Sequence, residues 1–557
     1  MRFCVHIVLL VLPICVFAQQ EGSQKREKRQ PDSRPADVQQ PTRRETPLPT
    51  IDLPEFIITG SASINPPDAQ KSPYDEDGIY KRLSSENSAG TRERETLDLG
   101  ERFKQSLLLP LKGVSGNLRA GIGNYFTPEI GVSVGLTDPS YDAAATATYW
   151  RSKGFMRNSD ASSGMISVQG SHEILTGSSS VQQARLTGAA GFDLRSYKFY
   201  GSLAPSTRRD LSRFNLLVQA AADLGADASL RTGVRFQTMS VKDSSTTTTE
   251  NSVRVDLSGS VPVLDFPLDV GGRAWFSTIT TLSSRQLSFV SLSVGTSRLS
   301  WGDVSLRAGA EGHHVKGMNG QSGSYFFPFV FLDVSILKQH NVFLSFRPAP
   351  LFQTLEDHLD RLYYMSAGAS IRHTIARLSL TGGVESDWNS WLSTAVWLEF
   401  RSMTDYPFYA DSSGTGMWLL AYGGKTTVTA FHLDGVANIS SNDYFAVKSI
   451  ARLSRSTVVQ HIPYLPEFEG SVFWTHRLGS DFELSTSVGV VSSQDVDFVG
   501  SSSVGGHVWT GWKVDYLGFG DLRIFAEATN IANQNYERWK GYRAEPFRIS
   551  AGLMYRW

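Results

Sequence analysis

The sequence predicts an all-β protein, a transmembrane antiparallel β-barrel of about 22 strands that follows a disordered N-terminal extension. Three observations predict it. From residue 114 to residue 557, short runs alternate apolar with polar or small residues, and this period of two indicates strands. The runs are about ten residues long, as in a tilted strand that crosses a membrane. No later apolar run could form a spanning helix, so only a closed barrel would satisfy its backbone in lipid.

The composition excludes several other classes of protein. The chain has 557 residues, with 53 Lys and Arg against 54 Asp and Glu, so it lacks the basic excess of a nucleic-acid binder. Its hydrophobic fraction of 41% is too high for disorder throughout. Its only cysteines are Cys4 and Cys15, which excludes a disulfide scaffold and, once they are removed, cysteine-based catalysis or zinc binding.

The first 18 residues have the anatomy of a cleaved secretory signal peptide. Arg2 precedes an apolar run from Val5 to Phe17, and Ala18 supplies a small residue before the cleavage point. A lipoprotein signal ending at Cys15 is the alternative, although Ile14 is bulky for that motif. A signal peptide followed by a barrel predicts a location in the outer membrane of a Gram-negative type of cell, where the barrel contacts the membrane lipid.

Two polar segments precede the barrel. Residues 19–50 contain 12 charged residues and many prolines, which predicts a disordered, extended tether. Residues 61–113 are a second polar segment, either a linker or a piece that occludes the lumen. Between them, residues 51–60 form a short apolar island.

Alternation alone does not separate a membrane barrel from a soluble sandwich. Val253, Val255 and Leu257 share one face of a strand, opposite Arg254 and Asp256. A sandwich would bury the apolar face, whereas a membrane barrel turns it towards lipid and the polar face towards the lumen. Aromatic residues at the ends of runs favour the barrel, because they are typical of an interfacial girdle: Tyr149, Trp150, Trp397, Phe400, Trp509, Trp512, Tyr555 and Trp557.

The length of the repeating region sets the strand number. Residues 114–557 at about 20 residues per strand and loop give about 22 strands, and the number should be even. A barrel of that size encloses a wide lumen that is normally plugged. The charged residues expected in the lumen are mixed in sign, which predicts a wet interior without clear ion selectivity: Arg254, Asp256, Glu483, Lys513, Asp515, Arg523 and Glu527.

The last 37 residues carry a combined motif. They contain an Asn-aliphatic-x-Asn-x-x-Tyr turn, a Gly-Tyr pair, a proline and a terminal aromatic residue, which are Asn530, Ile531, Asn533, Tyr536, Gly541, Tyr542, Pro546 and Trp557. This stretch resembles the end of TonB-dependent outer-membrane receptors, except that Phe547-Arg548 replaces their usual Gly-Arg pair. The resemblance implies that Phe547, Tyr555 and Trp557 form a signal for the barrel-assembly machinery. The alternative is simple lipid contact.

The apolar island resembles a TonB box, the segment by which such receptors bind the energy-transducing protein TonB. The box-like residues are Glu55, Phe56, Ile57, Ile58, Thr59 and Gly60. Binding would occur by β-augmentation, in which an extended segment adds a strand to its partner. The alternatives are an incidental short strand and a segment that folds back into the barrel.

The resemblance breaks after the island. The family places a plug domain between box and barrel, but only 53 residues separate Gly60 from Val114, so the plug is expected to be missing. Ligand binding and energised uptake are therefore left open. Surface loops, residues 61–113 or another protein should occlude the lumen.

No motif predicts catalysis, a cofactor or a metal site. Glu311, His313 and His314 form the tightest cluster, but adjacent strand residues point to opposite faces and cannot chelate together. We therefore predict a non-enzymatic transporter or receptor that passes or binds a solute. The alternatives are a plugless passive or partner-gated pore, an outer-membrane structural or assembly protein that recruits a periplasmic partner, and a barrel enzyme as the weakest.

Overall fold

The computed structural model describes residues 113–557 except 139, 176–182, 225–227, 245, 264–265, 337–338, 390, 412–413 and 441. In this part, 22 antiparallel strands form one sheet in which each strand pairs with the next along the chain. The last strand pairs with the first, with Asn117 opposite Arg556 and Gly123 opposite Ser550, so the sheet closes. The predicted fold class and strand number are therefore confirmed.

The barrel strands have the following bounds. They are β1 (Gly113–Gly123), β2 (Glu129–Thr137), β3 (Tyr141–Ser152), β4 (Ala161–Leu175), β5 (Gln183–Lys198), β6 (Arg208–Asp223), β7 (Ser229–Asp243), β8 (Thr246–Val263), β9 (Phe266–Thr280), β10 (Ser284–Thr296), β11 (Val304–Lys316), β12 (Ser322–Ile336), β13 (His340–Phe346), β14 (Thr374–Asn389), β15 (Leu392–Thr404), β16 (Thr426–Asn438), β17 (Asp443–Ser456), β18 (Phe468–Leu478), β19 (Phe482–Val491), β20 (His507–Phe519), β21 (Leu522–Thr529) and β22 (Arg548–Arg556).

A few smaller elements complete the described chain. After a break, β10 continues as Leu299–Trp301 and β13 as Ala349–Leu351. One helix, α1 (Leu355–Arg361), lies between β13 and β14. Three short strand pairs lie in loops: Pro407–Ala410 with Leu419–Tyr422, Gln494–Asp495 with Ser503–Val504, and Glu537–Trp539 with Tyr542–Arg543. No helix among the described residues is long and apolar enough to cross a membrane.

The two ends of the barrel differ in their connections. At one end, strands are joined by only two to seven residues, and we call it the short-turn end. At the other, five connections have 11 to 27 residues: 347–373, 405–425, 457–467, 492–506 and 530–547. We call this the long-loop end. The chain enters β1 and leaves β22 at the short-turn end.

The faces of the strands are the reverse of those of a soluble protein. On β8, Val253 and Val255 are each 39% exposed on the outer surface, whereas Arg254 between them is 4% exposed on the lumen side. On β22, Ile549 and Leu553 are likewise exposed and Ser550 is buried. An apolar outer surface around a polar interior identifies a transmembrane barrel rather than a sandwich.

The prediction of an aromatic girdle is only partly right. Tyr149, Trp512, Tyr555 and Trp557 are exposed on the outer surface, as expected. Alternation places three other members on the lumen side: Trp150, Trp397 and Trp509. Trp397, for example, stacks on the buried His432 with ring centroids 4.5 Å apart. Neighbouring aromatic residues cannot all face lipid, because successive side chains of a strand point to opposite faces.

Candidate functional site: a lumen closed at one end

The polar face of the barrel lines a lumen held together by ion pairs between strands. Asp256 on β8 accepts hydrogen bonds from Arg254 and from Arg273 on β9, both at 2.7 Å. Arg119 on β1 bridges Glu129 on β2 and Glu527 on β21, at 2.9 Å each, across the point of closure. Such pairs satisfy charges that the barrel wall would otherwise bury alone.

The other charges expected in the lumen are also on this face. Lys513 pairs with Asp515 at 2.8 Å, and Glu483 pairs with Arg477 at 3.0 Å. Arg523 lies two residues before the buried Phe525 and therefore points inwards. The expected wet interior is thus a dense alternation of cations and anions.

At the long-loop end, the loops pack into a continuous apolar cluster. We call the packed parts of residues 199–207 and of the five long loops the cap. The cap packs on apolar lumen residues of the wall, and its own buried members come from different loops: Phe352, Leu355, Leu359, Met365, Tyr409, Trp418, Ile462, Tyr464, Val496, Trp539 and Tyr542. A close-packed cluster of this kind leaves no room for water or solute between its members.

The centre of the cap is aromatic. Trp418 is fully buried and lies 5.8 Å from Tyr464, 5.6 Å from Trp539 and 5.5 Å from Tyr542, measured between ring centroids. Tyr364 stacks on Tyr542 at 3.6 Å. These rings join four long loops, so the cap is held by contacts between segments that are distant in sequence.

Helix α1 forms the floor of the cap because its sequence suits a short amphipathic helix. Thr354 caps its first turn, and a reciprocal pair of hydrogen bonds with Asp357 completes a capping box. Leu355 and Leu359, one turn apart, are buried in the cap. Glu356 and Asp360, also one turn apart, are left on another side of the helix.

The acidic side of α1 is bound to the barrel wall. Arg213 of β6 pairs with Glu356 and, at 3.1 Å, with Asp360. Arg195 of β5 also reaches Asp360, at 3.2 Å, and Gln237 of β7 donates to Glu356. Burial raises the pKa of Glu356, while Arg213 beside it acts in the opposite direction. Ion pairs therefore hold α1 inside the lumen.

A second arginine joins the wall to the cap. Arg209 of β6 is fully buried and binds Asp243 of β7 through two nitrogens. Its third nitrogen donates to the carbonyl oxygens of Tyr363 and Met365, at 2.7 and 2.8 Å. One guanidinium thus satisfies a carboxylate of the wall and two backbone groups of the loop.

Two buried histidines stay neutral in the cap. Burial lowers the pKa of His358 in α1 to about 3, with a further lowering by Arg361, and lowers the pKa of His373 to about 4. His358 Nδ1 lies 2.9 Å from the hydroxyl of Tyr409, and His373 stacks on Phe352. Near neutral pH, the cap therefore contains no imidazolium at either position.

The C-terminal motif forms a structured turn at the edge of the cap. Asn530 and Asn533 have φ of 48° and 49°, in the left-handed region that asparagine tolerates. Asn530 is buried, and its amide donates to the carbonyl oxygens of Gln534 and Glu545, at 2.9 and 3.0 Å. Asn533 accepts from the backbone N–H of Phe547. The motif therefore sets the path of the chain into β22.

The predicted site residues are found in different places. Tyr555 and Trp557 are stacked on the outer surface, while Phe547 is half-buried beside Asn124 at the long-loop end. The box-like residues 55–60 lie outside the described residues. His313 is buried beside Glu311 on the lumen side, while His314 bonds Ser324 on the outer side, as adjacent strand residues should. No metal-binding group is found within the described residues.

A closed 22-strand barrel with a polar lumen and an apolar cluster of loops at one end belongs to the class of large outer-membrane barrels. No protein-family model matches the sequence, and no curated protein is significantly similar to it. The barrel is similar to the FrpB iron transporter from Neisseria meningitidis, with a TM-score of 0.64 and 11% identity over 80% of this chain and 82% of that one. It is also similar to the siderophore receptor PirA from Acinetobacter baumannii, with a TM-score of 0.62 and 8% identity over 81% of each chain.

The copper transporter OprC is a third similar structure, with a TM-score of 0.61 and 12% identity over 80% of both chains. These neighbours are TonB-dependent receptors. The resemblance drawn from the C-terminal motif is therefore confirmed at the level of the barrel fold. At such low identity the likeness concerns the fold, and the iron, siderophore and copper belong to those proteins.

Proposed function

We propose that the protein is an outer-membrane receptor or transporter that keeps its lumen closed with its own loops. The cap is the observation that carries this proposal. A passive pore needs an open path, whereas here an aromatic core and the half-buried helix α1 lie at one end of the lumen. A barrel built to receive a solute and release it on a signal needs such a closure.

The orientation follows from the lengths of the connections. Barrels of the outer membrane have short turns on the periplasmic side and longer loops outside. The cap therefore faces the exterior, and β1 begins on the periplasmic side. This arrangement supports a role for residues 55–60 as a TonB box, because the segment is attached on the side where TonB is found.

In this proposal the cap replaces part of a plug. The 52 residues between Gly60 and Gly113 are too few for the plug domain that the family carries. The cap gives closure at the outer end without such a domain. Residues 61–112 lie outside the described residues, so their role as a linker or an occluding segment stays a prediction.

Conductance tests the closure. Purified full-length protein in a planar bilayer is expected to show little steady conductance, whereas a variant with residues 352–371 replaced by a short Gly-Ser linker should show a large one. A variant with the same linker in place of residues 457–463, which leaves α1 in position, should open less. A large steady conductance of the unmodified protein would contradict the closure and support a passive pore.

Binding to the periplasmic domain of TonB tests the second part. Deletion of residues 51–60 should abolish the binding, while deletion of an equal length, residues 61–70, should not. Unchanged binding after the first deletion would refute the TonB box. A protein that binds a periplasmic partner but stays closed with and without TonB would instead favour the structural or assembly role.

A further inference from the structure

A pocket lined mainly by serine, arginine and aspartate residues lies in the lumen wall near the short-turn end, away from the cap. Its volume is about 290 Å³, and strands β7 to β12 line it. Three arginines reach it from different elements: Arg231, Arg298 and Arg307. Serines 229, 258, 260 and 305 add hydroxyl groups, and Phe331 adds an apolar surface.

The three arginines retain donors for a ligand. Among the described residues Arg231 has no ion-pair partner, and Arg298 donates through Nε to the hydroxyl of Ser305 at 2.8 Å. Arg307 pairs with Asp269 at 3.2 Å, but its Nε is buried without a hydrogen-bond partner in the described structure. A guanidinium has five N–H donors, so most of them are left over.

The carboxylates of the pocket do not cancel this charge. Asp269 accepts from Ser297 and pairs with Arg307, so it is already used within the wall. Asp333 is the second carboxylate, and three arginines against two carboxylates leave one positive charge. The pocket is therefore suited to an anion rather than to a cation.

The adjoining wall extends the positive potential towards the cap. One level closer to α1, four arginines face the lumen with only two carboxylates: Arg235, Arg254, Arg273 and Arg347 with Asp256 and Glu311. Low-dielectric walls with an excess of one sign focus the field and concentrate counter-ions. The lumen as a whole is mixed in sign, as the sequence indicates, but this sector is basic.

We propose that this pocket binds a small solute that carries an oxyanion and hydroxyl groups. Guanidinium forks match the geometry of carboxylate or phosphate oxygens, and serine hydroxyls can donate to or accept from the hydroxyls of the solute. Phe331 would contact its carbon skeleton. The inference deepens the proposed function, on which it rests, by assigning a substrate class to the lumen.

Calorimetry with citrate as the probe tests the inference on the full-length protein in an uncharged detergent, at fixed ionic strength. Citrate should bind saturably. Arg298→Gln and Arg231→Gln should each weaken binding about tenfold, since each removes charge-assisted hydrogen bonds to the oxyanion. Neither arginine forms an ion pair with a carboxylate among the described residues, so the variants should fold. Arg523→Gln is the matched control, a lumen arginine of the same end on the opposite wall, and should leave binding unchanged.

Absence of saturable citrate binding would overturn the inference, and so would an equal loss in Arg523→Gln. Binding of Ca²⁺ that Asp269→Asn abolishes, with no citrate binding, would show a cation site instead. Binding in detergent does not depend on closure. A closed lumen without citrate binding therefore refutes only this inference, and an open lumen with citrate binding refutes only the proposed function.

Discussion

The same strands have two different lumen surfaces, one at each end of the barrel. On β7, Arg231 and Arg235 face the lumen near the short turns, whereas Met239 and Val241 face it near the long loops. The next-but-two strand, β10, runs from the long-loop end to the short-turn end. Its lumen face is apolar at Leu287, near the long loops, and polar at Ser291, further from them. The lumen at the long-loop end thus resembles the core of a soluble protein, whereas at the short-turn end it is polar and wet.

This difference separates stability from closure. Pairing of 22 strands and an apolar outer surface hold the barrel together along its whole height, so the barrel does not need the cap. The cap depends instead on packing and on a few buried polar contacts with the wall. Changes in the cap should therefore open the lumen while the barrel remains folded.

The largest effect is expected from Arg209→Met. It removes the partner of Asp243 and leaves the carbonyl oxygen of Met365 unpaired, whereas that of Tyr363 keeps the hydrogen bond from Tyr197. Loss of the buried ion pair should reduce the free energy of cap closure by about 3 to 5 kcal/mol. The measurement is hydrogen exchange of residues 352–371 together with bilayer conductance. Arg208→Gln is the control, because Arg208 is the neighbouring exposed arginine and pairs with Asp210 on the outer side. Equal exchange in the two variants would show that Arg209 does not hold the cap.

A somewhat smaller loss is expected from Trp418→Ala. The substitution leaves a cavity between Tyr464, Trp539 and Tyr542, and about 3 kcal/mol of cap stability should be lost. Proteolysis of the loops should become faster, while the heat resistance of the barrel should not change. Trp512→Ala, on the outer surface, is the matched control. Unchanged proteolysis of Trp418→Ala would mean that the aromatic centre does not carry the closure.

Acid should loosen the cap gradually. The pKa of His358 is lowered to about 3 from its usual 6.5, so its contribution is complete above pH 6.5 and is lost as the pH falls towards 3. The groups that face His358 are Arg361, His373 and the hydroxyl of Tyr409. Protonation of His373, whose pKa is also lowered, destabilises the cap as the pH falls. The raised pKa of Glu356 has the opposite effect, because its protonated form is favoured in the folded cap. The protection factors of the cap amides, which correct for the slower intrinsic exchange in acid, should fall from pH 6.5 to pH 4, and less steeply in His358→Phe. Identical pH profiles would refute this role of His358.

The smallest effect is expected from Asn530→Ala. It removes the hydrogen bonds to Gln534 and Glu545 at the edge of the cap, which should cost about 1 to 2 kcal/mol and slow refolding into lipid vesicles. Asn533→Ala, which loses one bond to Phe547, should cost less. A larger loss in Asn533→Ala would show that the turn is held differently.

The barrel could be predicted from sequence because alternation is local. The five residues from Val253 to Leu257 are enough to distinguish the apolar face of the strand from its polar face. The strand number then follows from the 444 residues over which such runs repeat. The C-terminal turn at Asn530 was accessible only through resemblance to a family. Residues 55–60 lie outside the described residues, so the TonB box stays a prediction.

The cap could not be predicted because its contacts are long-range and its loops have no period. Nothing near Trp418 in the sequence indicates that Tyr464 and Tyr542 surround it. One signal was present: Leu355 and Leu359 lie one helical turn apart, between Thr354 and Arg361, in a region otherwise interpreted as strands and loops. The prediction of Trp397 as a girdle residue was wrong because an aromatic residue contacts lipid only where the strand alternation turns its side chain outwards.

Access to the lumen from each side tests the central claim most directly. Leu282 is 98% exposed in a turn at the long-loop end, and Gln219 is an exposed lumen residue of β6 near the short turns. In a background without Cys4 and Cys15, Leu282→Cys and Gln219→Cys would be treated with a small sulfonated maleimide, in cells without general porins. We expect only Leu282→Cys to react from outside, and both to react once the outer membrane is permeabilised. Equal labelling of Gln219→Cys in intact cells would contradict a lumen closed by the cap.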